Sequence, residues 1–161
     1  GFLKTYRDRI IYAEDGCQIV PGVSLLAHHT EGLEAYGEQN HLYIRQNGRY
    51  RPDSFAHEQS LIFDTEKGLV ICSSCSHGGA DNIIREVVSA YPDKKIHAMI
   101  GGFHLYHTSP EDVRALAERI RSTGIDKIFT GHCTGQPAFE ILKEELGEQV
   151  SQLCTGMEIV L

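Results

Sequence analysis

Apolar and polar positions are weakly ordered in the first third of the chain and sharply ordered after it. Short β-like pieces at Arg9–Tyr12, Cys17–Val20 and Val23–Ala27 are punctuated by the turn pairs Asp15-Gly16 and Pro21-Gly22. The stretch from Thr30 to Arg51 is polar, carries Gly32, Gly37 and Gly48, and reads as a long excursion or flap. Excursions of that length are usually functional or disordered. From Glu58 onward the pattern sharpens. Ser60–Asp64 and Leu69–Ser73 read as two strands joined by the turn Thr65-Glu66-Lys67-Gly68.

Three strand–loop–helix units follow. In the first, the strand Leu69–Ser73 leads to a helix over Asp81–Tyr91, with Ile83, Ile84, Val87, Val88 and Tyr91 on one face. In the second, the strand Ile96–Ile100 leads to a helix over Pro110–Ser122 with a buried stripe of Val113, Leu116, Ala117 and Ile120. Ser109 fits its N-cap, Pro110 its first residue and Asp112 the capping-box partner, and Gly124 ends it. In the third, Ile125–Thr130 leads to a helix over Pro137–Leu146 stopped by Gly147. A strand pair, Gln149–Leu153 and Met157–Val160, closes the chain. Strands and helices alternating in this way predict an α/β layer structure with right-handed crossovers.

Composition narrows the partners. A length of 161 residues suffices for one domain with a hydrophobic core. The formal net charge of −7 and the scattered basic residues argue against duplex nucleic acid, which wants a basic stripe. No apolar run approaches the roughly 20 residues of a membrane span, and no signal-peptide pattern opens the chain. A cytoplasmic protein that engages neither nucleic acid nor membrane is expected. The start at Gly1 without an initiator Met is what a processed, proteolysed or cloned fragment would show. The five cysteines form no disulfide-scaffold pattern. Cys72 and Cys75 make a C-x-x-C spacing, but Cys72 falls in the apolar run Leu69-Val70-Ile71-Cys72 and reads as a strand residue rather than a redox thiol.

Nine histidines hint at metal chemistry. Each of the three units places one just past the C-terminal end of its strand, beside glycine: His77 before Gly78-Gly79, His104 after Gly101-Gly102-Phe103, and His132 after Gly131. In α/β sheets ligands bind in the crevice beyond those strand ends. Three imidazoles carried there by rigid strands make a plausible metal cradle, imidazole being the commonest borderline ligand. Any one of them alone is more often a hydrogen-bonded structural residue. Gly78 and Gly79 precede a helix, and with Thr134 and Gly135 they could hold an anion on backbone amides. Asp53, His57 and Glu58 form a further polar cluster, read either as a solvated turn or as groups that orient a ligand histidine from behind.

At these motifs the chain resembles the metallo-β-lactamase superfamily. The likeness rests on Gly68-Leu69-Val70-Ile71, Cys75-Ser76-His77-Gly78-Gly79, Ile100-Gly101-Gly102-Phe103-His104-Leu105 and Gly131-His132-Cys133-Thr134-Gly135, in order. It is nearest the branch that includes archaeal enzymes making a pterin adduct of ribofuranosylaminobenzene phosphate. The resemblance implies half of an αββα sandwich, a mixed sheet with helices on one face. It implies His77 and His132 as ligands, with His104 near where many relatives place a bridging aspartate. The implied cofactor is a divalent metal, zinc first, with iron or manganese also compatible. The implied activity is hydrolysis, a metal-activated water attacking an ester or phosphoester of a small molecule. The superfamily's His-x-His-x-Asp-His motif is absent, so the chain reads as the C-terminal half and, by itself, as inactive. The absent half would leave a sheet face open to self-association or a partner chain. Two other readings stand beside this one: a transferase or binding protein for a phosphorylated pterin-like molecule, and a non-catalytic interaction module.

Overall fold

The computed structural model describes residues 1–160. Its strands are β1 (Gln18–Val20), β2 (Val23–Ala27), β3 (Tyr43–Gln46), β4 (Arg49–Pro52), β5 (Gln59–Thr65), β6 (Gly68–Cys72), β7 (Ile96–Gly101), β8 (Lys127–Thr130) and β9 (Val150–Gln152). The helices are α1 (Phe2–Thr5), α2 (Glu34–Gln39), α3 (Ala80–Ala90), α4 (Pro110–Ser122) and α5 (Gln136–Leu146). Seven strands form one mixed sheet in the order β1-β2-β5-β6-β7-β8-β9. Pairing is antiparallel from β1 to β6 and parallel from β6 to β9. The parallel half is where strand and helix alternate in sequence, because parallel neighbours need a crossover between them.

Alternation along the central strands sorts side chains onto two faces. Leu69, Ile71, Met99, Ile128 and Val150 point into the main core, where α3, α4 and α5 supply Ile83, Ile84, Val87, Leu116, Ile120 and Leu142. Val70, Ala98 and Phe129 face the other way, with Phe63, Cys72 and Ile100 beside them. Among the described residues no helix packs on that second face; Leu153 and Ile159 pack against it from the C-terminal segment. The helices thus lie on one face of a mixed sheet, as expected.

The helix boundaries fall within a residue of expectation, and at α4 the cap is explicit. Ser109 accepts the Asp112 N–H across α4's first turn, Pro110 opens the helix, and Gly147 follows α5 with φ 57°. The buried stripe of α4 is the expected Val113, Leu116, Ala117 and Ile120. On α3, Val88 is exposed rather than buried, since the face turned to the sheet is completed by Ala80 and Ile83.

Three expectations are corrected. Arg9–Tyr12 forms no strand; a 3-10 turn at Arg7–Arg9 leads into unpaired chain with Ile11 and Tyr12 exposed. Met157–Val160 does not pair with β9; Ile159 is instead drawn onto the second sheet face. The Thr30–Arg51 excursion is folded, as α2 followed by the hairpin β3–β4. Asn47 (φ 51°) and Gly48 (φ 77°) both take the left-handed region at its tip, the signature of a tight hairpin turn.

Candidate metal centre

The C-terminal ends of β6, β7 and β8 open on one edge of the sheet, and the loops there are held in an unusual backbone state. Ser76 (φ 51°), His104 (φ 49°) and His132 (φ 52°) all take positive φ without being glycine. Such residues are uncommon and cost of order 1 kcal/mol each, and they concentrate at functional sites. One strained residue per strand end, at three adjacent parallel strands, marks this edge.

His77 and His104 meet there, with ring centroids 4.5 Å apart in an edge-to-face arrangement. Phe55 stacks on the far side of His77 at 5.6 Å. His77 Nδ1 lies 2.5 Å from Glu58 Oε1, which leaves Nε2 as the nitrogen free to bind. Burial, helped by the neighbouring His77, lowers the pKa of His104 and favours the neutral, ligand-competent ring.

His132 stands with sulfur instead. Its Nδ1 is 3.9 Å from Cys75 Sγ. Among the described residues, Cys75, His132 and Cys133 are the group of three whose donor atoms all lie within 4.8 Å of one another. Such a donor set fits a metal ion. His77, His104 and His132 are therefore carried to one edge as two neighbouring clusters, not as a single trio of converging nitrogens. Cys133 is buried, its thiol pKa pushed up to about 11 by burial with a contribution from Cys75. Sequence reasoning set Cys75 aside as half of a C-x-x-C spacing and gave Cys133 no role; their positions, two residues before His77 and next to His132, were the available signal.

Glu58 accepts from the His77 N–H and, through Oε2, from the Gly78 N–H at 3.2 Å. Gly79 N–H is turned to Ser76 O. The amides expected to cradle an anion are thus already bonded to the protein, and the Glu58 carboxylate sits where that anion would. Thr134 is buried, its hydroxyl taken up by the Phe103 N–H and by Thr130. Gly135 takes φ 73°, and a Cβ there would stand 3.2 Å from the Tyr106 ring. Asp53 caps its own turn through the Phe55 N–H, and the exposed His57 stands 3.6 Å from Asp53, facing neither cluster.

A cleft of about 180 Å³ opens beside His77 and His104. Tyr36, Gln39 and Asn40 of the folded excursion form one wall, and His107 and Arg119 form part of the other. The insertion is thus placed to meet whatever molecule approaches the histidine pair.

A seven-stranded mixed sheet with helices on one face and a histidine-bearing edge beyond its parallel strands matches a metallo-β-lactamase-like fold. A solved structure described as a metal-dependent hydrolase of the β-lactamase superfamily matches with a TM-score of 0.79 and 25% identity, over 94% of this chain and 58% of that one. In sequence the chain resembles the 7,8-dihydropterin-6-methyl-4-(β-D-ribofuranosyl)-aminobenzene-5′-phosphate synthase of Methanocaldococcus jannaschii, 32% identical over 151 residues. That alignment covers 92% of this chain and 51% of the synthase, so the chain spans about half the length of this relative. No family model matches the chain.

Proposed function

We propose that this chain is the metal-bearing part of a longer metal-dependent hydrolase, and that the ion is held at the edge where β6, β7 and β8 end. The observation that carries this reading is the placement of His77, His104 and His132 on consecutive strand ends, two of them at positive φ. When bound, a divalent ion of the zinc class supplies a water acidic enough to attack an ester or phosphoester near neutral pH. The chain's own residues do the rest. Glu58 holds the Nδ1 side of His77 and so fixes its tautomer, Phe55 and His104 fix the plane of that ring, and the cleft receives the substrate between Tyr36 and His107.

The coverage of about half of each matched chain supports reading the rest of the metal ligands as lying in further sequence of the same protein. The second sheet face, where Phe63, Cys72 and Ile100 are only half-buried and no helix among the described residues packs, supports the same reading; that face would take either the remaining sequence or a second copy. A panel of simple esters and phosphoesters assayed on the longer protein tests the proposal. Activity that a chelator abolishes and zinc, manganese or iron restores is expected; activity indifferent to chelation contradicts it.

The likeness to the pterin-adduct synthase favours a second reading, transfer to or binding of a phosphorylated pterin-like molecule, with metal secondary. Binding of inorganic phosphate that survives chelator treatment would favour it over hydrolysis.

A further inference from the structure

The two clusters at the sheet edge differ in chemistry. One is imidazole and carboxylate, His77 with His104 and Glu58; the other is two thiols and an imidazole. We propose that Cys75, Cys133 and His132 form an ion site of their own, which takes zinc or a similar thiophilic divalent cation through two thiolates and one ring nitrogen. The inference goes beyond the hydrolase reading, since it concerns a thiolate site that would hold an ion whether or not the neighbouring histidines serve catalysis.

Donors around a tetrahedral zinc, at bond lengths of about 2.0–2.3 Å, stand roughly 3.5 Å apart. The Cys75 Sγ to His132 Nδ1 separation is 3.9 Å, and all three donors lie within 4.8 Å of one another. Closing that gap needs about 1 Å of side-chain movement, within the rotation of a half-buried cysteine and an exposed histidine. Three protein ligands leave a fourth position open.

The surroundings are built around the Cys133 sulfur. A Cβ on Gly102 would stand 2.5 Å from it, so only glycine leaves the thiol its place. The backbone N–H of His104 donates to that sulfur at 3.3 Å. Meanwhile His77 is committed to Glu58 and to the His104 ring, so it does not complete the sulfur cluster. On binding, each thiol gives its proton to solvent and the sulfur lone pair forms the metal bond, with no change in oxidation state.

Cobalt(II) titration of the reduced chain tests this, because thiolate-bound cobalt shows an intense sulfur-to-metal absorption that imidazole and carboxylate ligands lack. The full chain is expected to show that band, and zinc to bleach it. Cys75→Ser and Cys133→Ala, separately and together, are expected to abolish the band and weaken cobalt binding on the order of 100-fold or more, while His77→Gln keeps it. Circular dichroism of each variant establishes that it is folded; Cys75→Ser, at a half-buried loop position, is the arm least exposed to folding failure. A band that persists in the double variant, or cobalt binding by the full chain with no such band, overturns the proposal. So does cobalt binding no tighter than that of the double variant.

Discussion

His132 shows how a single residue can be wrong for its backbone and right for its chemistry. It sits at φ 52°, where a Cβ is disfavoured, and its exposed ring touches only Cys75 among polar partners. Replacing it with glycine relieves the Cβ penalty while adding chain entropy to the unfolded state, and these effects are of similar size. His132→Gly is therefore expected to leave stability within about 1 kcal/mol of the parent in urea unfolding while reducing metal affinity. A loss of several kcal/mol would show a structural histidine instead. Gly102 makes the opposite case. Gly102→Ala drives a methyl into Cys133 Sγ and is expected to cost roughly 1–3 kcal/mol. Adding Cys133→Ala should recover part of that loss, because the clash is with the sulfur; strict additivity of the two changes would contradict the packing argument. At this scale the sequence made the histidines visible through their neighbouring glycines. It hid their partition, because whether His132 pairs with His77 or with Cys75 depends on loop dihedrals that no periodicity encodes.

Elements were legible wherever local signals agreed. Ser109, Pro110 and Asp112 fix one end of α4 and its apolar stripe fixes its roll, so helix and core face followed together. The excursion was less legible, since α2 has few apolar residues of its own and the Asn47-Gly48 turn lies among polar neighbours. What joins β2 and β5 to α3 was not legible at all. His28 Nδ1 lies 2.7 Å from Glu86 Oε2, and His28 Nε2 lies 2.9 Å from Ser60 Oγ. The order of groups is that of a catalytic serine triad, but Ser60 is 0% exposed and no substrate reaches it. The arrangement is an anchor. Burial pushes the Glu86 carboxyl up, and hydrogen bonds from His28, Thr30 and the His29 N–H outweigh it, so the pKa lies below the ordinary value. A depressed carboxyl pKa contributes stability that is complete above the ordinary carboxylate range and is lost as pH falls through the folded-state value. Glu86→Gln is accordingly expected to flatten the loss of stability on acidification below about pH 4.5. Thermal unfolding across that range, with the two proteins converging at low pH, is the check; parallel curves would place the acid sensitivity elsewhere.

For the whole molecule, the sheet's two faces set the behaviour in solution. One is sealed by α3, α4 and α5, and the other, among the described residues, holds Val70, Ala98 and Phe129 under Leu153 and Ile159 of the C-terminal segment. If that face belongs to a larger assembly, the chain alone is expected to self-associate with rising concentration in sedimentation analysis. Charged replacements at Phe63 and Ile100, half-buried on that face, should weaken the association. A strictly monomeric chain at high concentration would mean that Leu153 and Ile159 cover the face sufficiently. The folded excursion gives the edge one wall of a cleft, and the three parallel strands give it the donor groups.

The central claim is that the edge beyond β6, β7 and β8 is a metal centre, and elemental analysis of the purified chain tests it most directly. Protein prepared without chelator and dialysed against metal-free buffer is expected to retain near-stoichiometric zinc, iron or manganese. The variant lacking His77, His104 and His132 together, shown to be folded, is expected to retain almost none. Equal metal content in the two proteins, or none in either after reconstitution with each ion, would contradict the account.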